Sequence, residues 1–342
     1  MVPISVACFT ARPAKPGSPS EKEPHCSTLA CLKPRWSKFW LTSLKGVASE
    51  RLVAWSESTR TPSFDSASWP VNTPNNSTTN SWLFPPKTRE VQFDEKWAFV
   101  GKKEKNCDPE DPADQLCGDH WDHVALDAEH RLVVSVVPGE RTTKNVEALV
   151  NDFKRRTGGR LMNLITTDEY AVYQTQILEA YGTQIVPPRT GKRGRPASAY
   201  KVAPPDLKYA VVHKTRENGR VVKIDYRVVF GTVVAVLAAL AVSRVSKAIN
   251  TAFVERHNGT DRNRNARKVR KSYCFSKDWE VHQAVTYFTM YSYNFCWPVR
   301  TLRVRESPTS RWQERTPAMA AGLTDHVWSL AEWLAYPAVQ RK

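Results

Sequence analysis

An apolar segment interrupted by an acid constrains the possible fold of this chain more than any other stretch does. Residues 91–101 read Val-Gln-Phe-Asp-Glu-Lys-Trp-Ala-Phe-Val-Gly, a composition typical of a β-strand. In a strand, Gln92, Asp94 and Lys96 lie on one face, and the residues between them lie on the other. A carboxylate in the middle of an apolar strand is costly unless a cation or a hydrogen-bond network compensates it. The segment therefore predicts that a cation or a hydrogen-bond network compensates the charge of Asp94.

Two later acids occupy comparable surroundings. Asp168 ends the apolar segment 161–168, and Glu255 lies within residues 250–258. Mg²⁺ and Mn²⁺ prefer carboxylate oxygens, and two such ions ~3.5–4 Å apart can activate the attacking oxygen and stabilise the leaving oxygen in phosphoryl transfer. Asp94, Asp168 and Glu255 therefore predict a two-metal site. Unrelated, ion-paired acids are the alternative. Three further acids compete locally for the first position: Asp119, Asp122 and Asp127.

The order of predicted elements indicates an α/β fold. The strand at 91–100 is followed by a hairpin, a helix that Thr143 or Asn145 can cap, a strand ending at Asp168, and a second helix. Three strands followed by alternating helices and strands predict a mixed sheet with helices packed on it. Active sites of such sheets gather near the carboxyl ends of strands, which is where Asp168 lies.

A second hairpin and a buried helix are predicted further along the chain. Asn218-Gly219 between two strand-like segments is typical of a tight hairpin turn. The apolar run 228–242 falls short of the ~20 residues that a membrane helix needs, so we predict a buried helix over residues 233–246 and no membrane span. Thr316-Pro317 predicts a helix start, with threonine as the cap.

Net charge indicates the class of partner. The chain carries 50 Lys and Arg residues against 34 Asp and Glu residues, a formal net charge of +16, which predicts a polyanionic partner, with nucleic acid as the first candidate. An anionic membrane surface is the alternative, but it calls for a basic amphipathic helix that we do not find. Seven irregularly spaced cysteines argue against a disulfide framework and favour the cytoplasm.

Cations are densest directly after Glu255. Arginine and asparagine suit phosphate contacts and base-edge hydrogen bonds, so residues 255–271 predict a DNA path, with a solvated basic face as the alternative. A second basic segment, residues 191–196, contains the Arg-Gly-Arg core of a minor-groove hook, with a flexible basic loop as the alternative. The predicted DNA-binding residues are Arg256, Asn258, Thr260, Arg262, Arg264, Arg267, Lys268, Arg270, Lys271, Lys192, Arg193 and Arg195.

Several motifs, in this order, resemble those of the bacterial insertion-sequence-one-type DDE transposases. The resemblance covers roughly residue 87 to the end. The similar segments are Gln92-Phe-Asp-Glu-Lys-Trp-Ala-Phe-Val-Gly-Lys-Lys103 for the first aspartate, Thr167-Asp-Glu-Tyr-Ala-Val-Tyr173 for the second, Phe253-Val-Glu-Arg-His-Asn-Gly-Thr-Asp-Arg262 with Phe275-Ser276 for the glutamate, and Arg315-Thr-Pro-Ala-Met-Ala-Ala-Gly-Leu323 for the closing segment.

The resemblance implies a ribonuclease-H-like fold and a polynucleotidyl-transferase activity. It makes Asp94, Asp168 and Glu255 the catalytic, metal-binding triad for two Mg²⁺ or Mn²⁺ ions. It implies DNA strand cleavage and strand transfer, with transposon ends and a target duplex as DNA partners. It also implies a homo-oligomer on DNA and a nucleoid-associated location in the cytoplasm. A catalytically inactive DNA-binding remnant is the alternative function, and a general ribonuclease-H-like nuclease is a third.

The first 86 residues depart from the family pattern. That family carries a cysteine-rich zinc element and a helix-turn-helix before the core, whereas residues 1–86 are rich in Ser, Thr, Pro, Asn and Trp without a lasting period. His25-Cys26 with Cys31 lacks a second ligand pair at zinc-finger spacing. We expect a largely disordered segment, from an out-of-frame or misassigned start, in place of a DNA-recognition domain. Residues 87–342 are then the catalytic domain, with a basic loop and hairpin inserted at about 187–230.

Overall fold

The computed structural model describes residues 88–187, 198–269, 271–305 and 307–335. The expectation of disorder over residues 1–86 lies outside these ranges, as do Lys192, Arg193, Arg195 and Arg270. The described strands are β1 (Glu90–Val100), β2 (Gly118–Asp127), β3 (Leu132–Gly139), β4 (Leu164–Asp168), β5 (Thr183–Ile185), β6 (Tyr200–Val202), β7 (Tyr209–Glu217) and β8 (Arg220–Phe230). The described α-helices are α1 (Thr143–Arg156), α2 (Val172–Tyr181), α3 (Val233–Val242), α4 (Ala252–Arg264), α5 (Trp279–Cys296), α6 (Pro317–Ala320) and α7 (Leu330–Ala335).

Six strands form one mixed sheet in the order β3-β2-β1-β4-β7-β8. The pairs β1–β2, β2–β3 and β7–β8 are antiparallel, whereas β1–β4 and β4–β7 are parallel. The predicted α/β fold with a mixed, helix-flanked sheet is confirmed. The turn between β7 and β8 is also as predicted, because Asn218 and Gly219 both have positive φ angles, of 48° and 78°, as a tight hairpin turn requires.

The first two helices cover one face of the sheet. The apolar stripe of α1 is fully buried, and its Phe153 ring packs edge-on against Phe93 of β1, with 5.4 Å between ring centroids. The predicted cap of α1 is wrong by one position. Thr143 is already the first helical residue, and the hydroxyl of Thr142 accepts the hydrogen bond from the backbone N–H of Asn145.

Helices α3, α4 and α5 lie on the opposite face, which carries Asp94. Helix α5 also covers the β3 edge of the sheet. The side-chain amide of Asn294 accepts from the backbone N–H of Val133 at 3.0 Å and donates to its carbonyl at 2.9 Å, as a neighbouring strand would. The cap of α6 is as predicted, because the Thr316 hydroxyl accepts from the N–H of Met319.

The prediction of a buried helix after the second hairpin is wrong. Helix α3 packs on the sheet through Val236, Ala239 and Leu240, whereas 76% of Val234 and 58% of Leu237 are exposed. An all-apolar composition therefore does not bury this helix, because the described residues cover it from the sheet side only. Among the described helices, none combines the length and the hydrophobicity that crossing a membrane requires.

Candidate metal centre

Neighbouring parallel strands bring two of the predicted acids together. Gln92 of β1 is aligned with Thr166 of β4, so two residues further along each strand Asp94 and Asp168 lie side by side on the same face. Carboxylate oxygens of Asp94, Asp168 and Glu95 all lie within 4.8 Å of one another. The sheet register thus builds a compact group of three carboxylates.

The third member of this group was missed by sequence reasoning. Glu95 follows Asp94 directly, and its Oε2 atom accepts a hydrogen bond from Nη2 of Arg141 at 3.1 Å, with only 2% of the side chain exposed. The strand alternation predicts that Glu95 points away from Asp94, onto the other face of the sheet. Its position beside Asp94 in the sequence was the available signal.

The glutamine two residues before Asp94 holds the start of helix α4. Oε1 of Gln92 accepts hydrogen bonds from the backbone N–H groups of Phe253 and Val254, each at 3.0 Å, and its Nε2 donates to the carbonyl of Asn250 at 2.9 Å. The first N–H groups of a helix have no partner within the helix, and the side chain of Thr251 does not cap this one. The sheet therefore supplies the cap and fixes where α4 begins.

Helix α4 then runs along the same face of β1. Nδ2 of Asn258 donates to Oδ2 of Asp94 at 2.7 Å, and Nζ of Lys96 contacts the carboxylate of Asp261. The predicted one-sided row on β1 is therefore observed, with each member contacting this helix or the residues leading into it. The hydrogen-bond network expected to compensate Asp94 is also present.

The third predicted acid lies beside the carboxylate group rather than within it. Glu255 is on α4, with 46% of its side chain exposed. Its Oε1 accepts from the hydroxyl of Thr251 at 2.5 Å and pairs with Nζ of Lys214 on β7. Burial is the main cause of the raised pKa of both Asp94 and Asp168, and the negative charge of Glu255 adds a smaller contribution to each. The structure therefore places Glu255 within electrostatic range of the other two acids, with Lys214 as its counterion.

Burial and mutual repulsion make this group of carboxylates hard to ionise. Burial, followed by the charge of Asp168, raises the pKa of Asp94 to about 8. The same two causes raise the pKa of Glu95 to about 7, and burial raises the pKa of Asp168 as well. Crowded carboxylate oxygens are the ligands of hard divalent cations, and a cation offsets the repulsion. The residues present therefore fit Mg²⁺ or Mn²⁺.

We expect the metal-free protein to lose stability as the pH rises from about 5 to 8. Because the pKa of Asp94 is higher in the folded state than in the unfolded state, its stabilising proton is fully present below the unfolded value near 4 and is lost as the pH passes about 8. Melting temperatures of the metal-free protein across this range measure the effect, and Mn²⁺ should reverse it at the upper end.

The matched variant for that experiment is Asp94→Asn, which keeps the shape of the side chain but has no proton to lose. Its melting temperature should depend less on pH than that of the parent protein, and Mn²⁺ should raise it less. Parallel curves for the two proteins from about pH 5 to 8 would show that Asp94 ionises normally in the folded state.

One predicted DNA contact belongs instead to a buried group of four charges, which we call the charge network: Lys96, Asp122, Asp261 and Lys268. Nζ of Lys268 lies 2.6 Å from Oδ2 of Asp122, and Nζ of Lys96 lies 3.0 Å from the same oxygen. All four side chains are at most 2% exposed. The prediction that Lys268 binds DNA is therefore wrong, because buried carboxylates already neutralise it. Asp122, one of the three acids that compete with Asp94, is therefore neutralised by Lys96 and Lys268.

Two more of the predicted DNA contacts are engaged within the protein. Asn258 is buried and donates to Asp94, so the prediction that it contacts DNA is also wrong. Arg264 donates to the carbonyl of Thr289 at 3.0 Å, and its guanidinium group lies 4.8 Å from the ring centroid of Trp297. These contacts hold the half-buried Arg264 against α5, and its contact with DNA stays a prediction.

The rest of the basic run stays a prediction. The Thr260 hydroxyl donates to the carbonyl of Arg256 within α4, at 3.1 Å. The side chains of Arg256 and Lys271 are exposed, and those of Thr260, Arg262 and Arg267 are half-buried. Five cationic or polar side chains of the predicted path therefore remain on or near the surface.

No model of a protein family matches the chain, and no curated protein matches it either, so a function has to be inferred from the residues themselves.

Proposed function

We propose that the chain is a DDE transposase, which cleaves and joins DNA strands at the ends of an insertion element with the help of Mg²⁺ or Mn²⁺. The single observation that carries this proposal is the placement of Asp94 and Asp168 on adjacent parallel strands, with their carboxylates in one half-buried group. The motif resemblance supports the same activity. Glu255 completes the proposed triad from α4, beside that group.

The strand order supports a ribonuclease-H-like core. Three antiparallel strands, β1 to β3, are followed by two parallel ones, β4 and β7, and the first acid lies on the strand in the middle of that five-strand order. The second acid ends the adjacent strand. This is the arrangement that the motif resemblance implies, with β8 as an added strand.

Each residue near the site has a proposed role that follows from its contacts. Two bound metal ions would activate the attacking oxygen and stabilise the leaving oxygen of a phosphodiester. Asp94, Asp168 and Glu255 would hold them. Asn258 orients Asp94 through its 2.7 Å hydrogen bond, and Gln92 positions Glu255 by capping its helix. Both are positioning residues rather than ligands.

The proposed substrate follows from charge. A formal net charge of +16 favours a polyanion, and the exposed Arg256 and Lys271 lie on the segment that follows Glu255. We propose element ends and a target duplex as the DNA substrates, acted on by a homo-oligomer of this chain.

The proposal is tested by incubating the full chain with duplexes made from the DNA on either side of its own coding sequence. With Mg²⁺ or Mn²⁺, we expect nicks at fixed positions in these duplexes and joining of the new ends to a second duplex. A duplex of the same composition in scrambled order is the control, and it should stay intact.

Two results would contradict the proposal. Binding to both duplexes without cleavage at any metal concentration would favour a DNA-binding remnant without catalysis. Cleavage of the scrambled control at the same rate would favour a nuclease that does not recognise ends.

A further inference from the structure

A basic cleft lies in the segment between α5 and α6, and none of its lining residues belongs to the metal centre. The cleft has a volume of about 630 Å³, and nine of the described residues between positions 298 and 314 line it. Its charged side chains are four arginines and a single acid: Arg300, Arg303, Arg305, Arg311 and Glu314.

The backbone holds this segment as a hairpin rather than an open loop. The N–H of Val304 donates to the carbonyl of Gln313 at 3.1 Å, and the N–H of Gln313 donates back at 2.8 Å. Nearer the base, the N–H of Val299 donates to the carbonyl of Arg315 at 2.9 Å. At the tip, Arg305 donates to the carbonyl of Pro308 at 2.9 Å. These bonds fix the cleft's side chains relative to one another.

Two of the guanidinium groups contact the same aromatic ring. Those of Arg303 and Arg305 lie 4.4 and 4.8 Å from the ring centroid of Trp312, within the range of a cation–π interaction. The ring attracts both cations and so offsets part of the repulsion between them. Since 43% of Trp312 is exposed, the assembly lies at the surface and is open to a ligand.

Among the described residues, arginines outnumber acids in the cleft by four to one. Across the described parts of the chain, no carboxylate forms an ion pair with Arg300, Arg303, Arg305 or Arg311. Like charges held close together cost free energy, which a bound anion would recover. A guanidinium group presents two parallel N–H donors that match a phosphate group, and this match distinguishes it from a lysine.

We propose that this cleft binds the phosphodiester backbone of DNA, with Arg303 and Arg305 as the principal contacts and Trp312 holding them in place. A DNA strand carries a phosphate every ~3.4 Å along the axis, so neighbouring guanidinium groups can each meet one. The proposal rests on the proposed function only in taking DNA as the polyanion. It adds a second contact surface, built on a different segment from the metal centre.

The test removes both charges in the variant Arg303→Gln/Arg305→Gln and measures duplex binding by fluorescence anisotropy in metal-free buffer. Each phosphate contact contributes roughly 0.9 to the slope of log affinity against log salt. We therefore expect the slope to become shallower by about 2, with weaker binding at low salt. The matched control is Lys105→Gln/Lys144→Gln, which removes two charges from exposed side chains elsewhere. Its slope should stay near that of the parent.

Two further variants separate local contacts from general charge. Arg303→Lys/Arg305→Lys keeps the charge but loses the paired donors, so its slope should stay near the parent value while its affinity falls. Trp312→Leu should behave in the same way. An unchanged slope in the folded glutamine variant would overturn the proposal, as would an equal change in the control. If the salt dependence of binding changes as expected but the protein never cleaves DNA, the DNA-binding cleft would be supported and the transposase proposal would be contradicted.

Discussion

Asp94→Asn is expected to slow metal-dependent DNA cleavage by about 10³-fold or more without unfolding the protein. Charge stabilisation by metal ions contributes several kcal/mol to phosphoryl transfer, and each 1.36 kcal/mol changes the rate about tenfold. The substitution removes the charge of a proposed metal ligand from the carboxylate group but keeps an oxygen for the amide of Asn258. Single-turnover cleavage at saturating Mn²⁺ measures the loss.

The same assay decides which glutamate completes the site. With the proposed triad, Glu255→Gln should share the loss, whereas Glu95→Gln should cost much less because Arg141 already pairs with that carboxylate. The reverse order would make Glu95 the third ligand. Asp225→Asn, at an exposed acid on β8, is the control and should cleave at the parent rate. Cleavage by Asp94→Asn at that rate would place the reaction elsewhere.

The second large effect concerns stability. Asp261→Ala is expected to lower the free energy of unfolding by about 3–5 kcal/mol, as removing one partner of a buried ion pair does. Burial acts to raise the pKa of Asp261, but Lys96 and Lys268 outweigh it and hold the pKa below its ordinary value. Without this carboxylate, two buried ammonium groups share Asp122 alone. Urea denaturation at neutral pH measures the difference.

Two comparisons make that experiment decisive. Asp225→Ala breaks an exposed ion pair with Lys223 and should change the unfolding free energy by at most about 1 kcal/mol. The double variant Lys96→Met/Asp261→Leu leaves the Lys268–Asp122 pair complete and should recover most of the loss, since apolar replacements of buried pairs are often neutral. If Asp261→Ala matched Asp225→Ala in stability, the charge network would not hold the fold together.

The parts of the site that follow from local periodicity were predictable. The two-residue period of β1 predicts the shared face of Gln92, Asp94 and Lys96, and the end of an apolar segment predicts the position of Asp168. The partners on α4 were not predictable in the same way. Asn258 meets an acid that is 164 residues away in the sequence, and Lys268 meets one that is 146 residues away. The sequence of the basic run 255–271 is therefore typical of a protein surface, although part of the run is buried.

Apolar composition likewise does not show whether a helix is buried. The run that forms α3 was predicted to be buried, because an exposed helix normally carries polar residues on its outer face. Val234 and Leu237 are nonetheless exposed, and no local signal distinguishes them from the buried Val236. Strand alternation places Glu95 on the face opposite Asp94, so it does not show that the two carboxylates lie within 4.8 Å of each other.

Because Gln92 caps α4, the candidate metal centre is completed only late in synthesis. The hydrogen bonds from Phe253 and Val254 to Gln92 span 161 and 162 residues. The hydrogen-bond network around Asp94 can therefore form only after α4 has left the ribosome. A truncated chain that ends before this helix would carry Asp94 and Asp168 but neither Glu255 nor the amide that orients Asp94. If the proposed function holds, prematurely terminated products would lack the complete triad and should not cleave DNA.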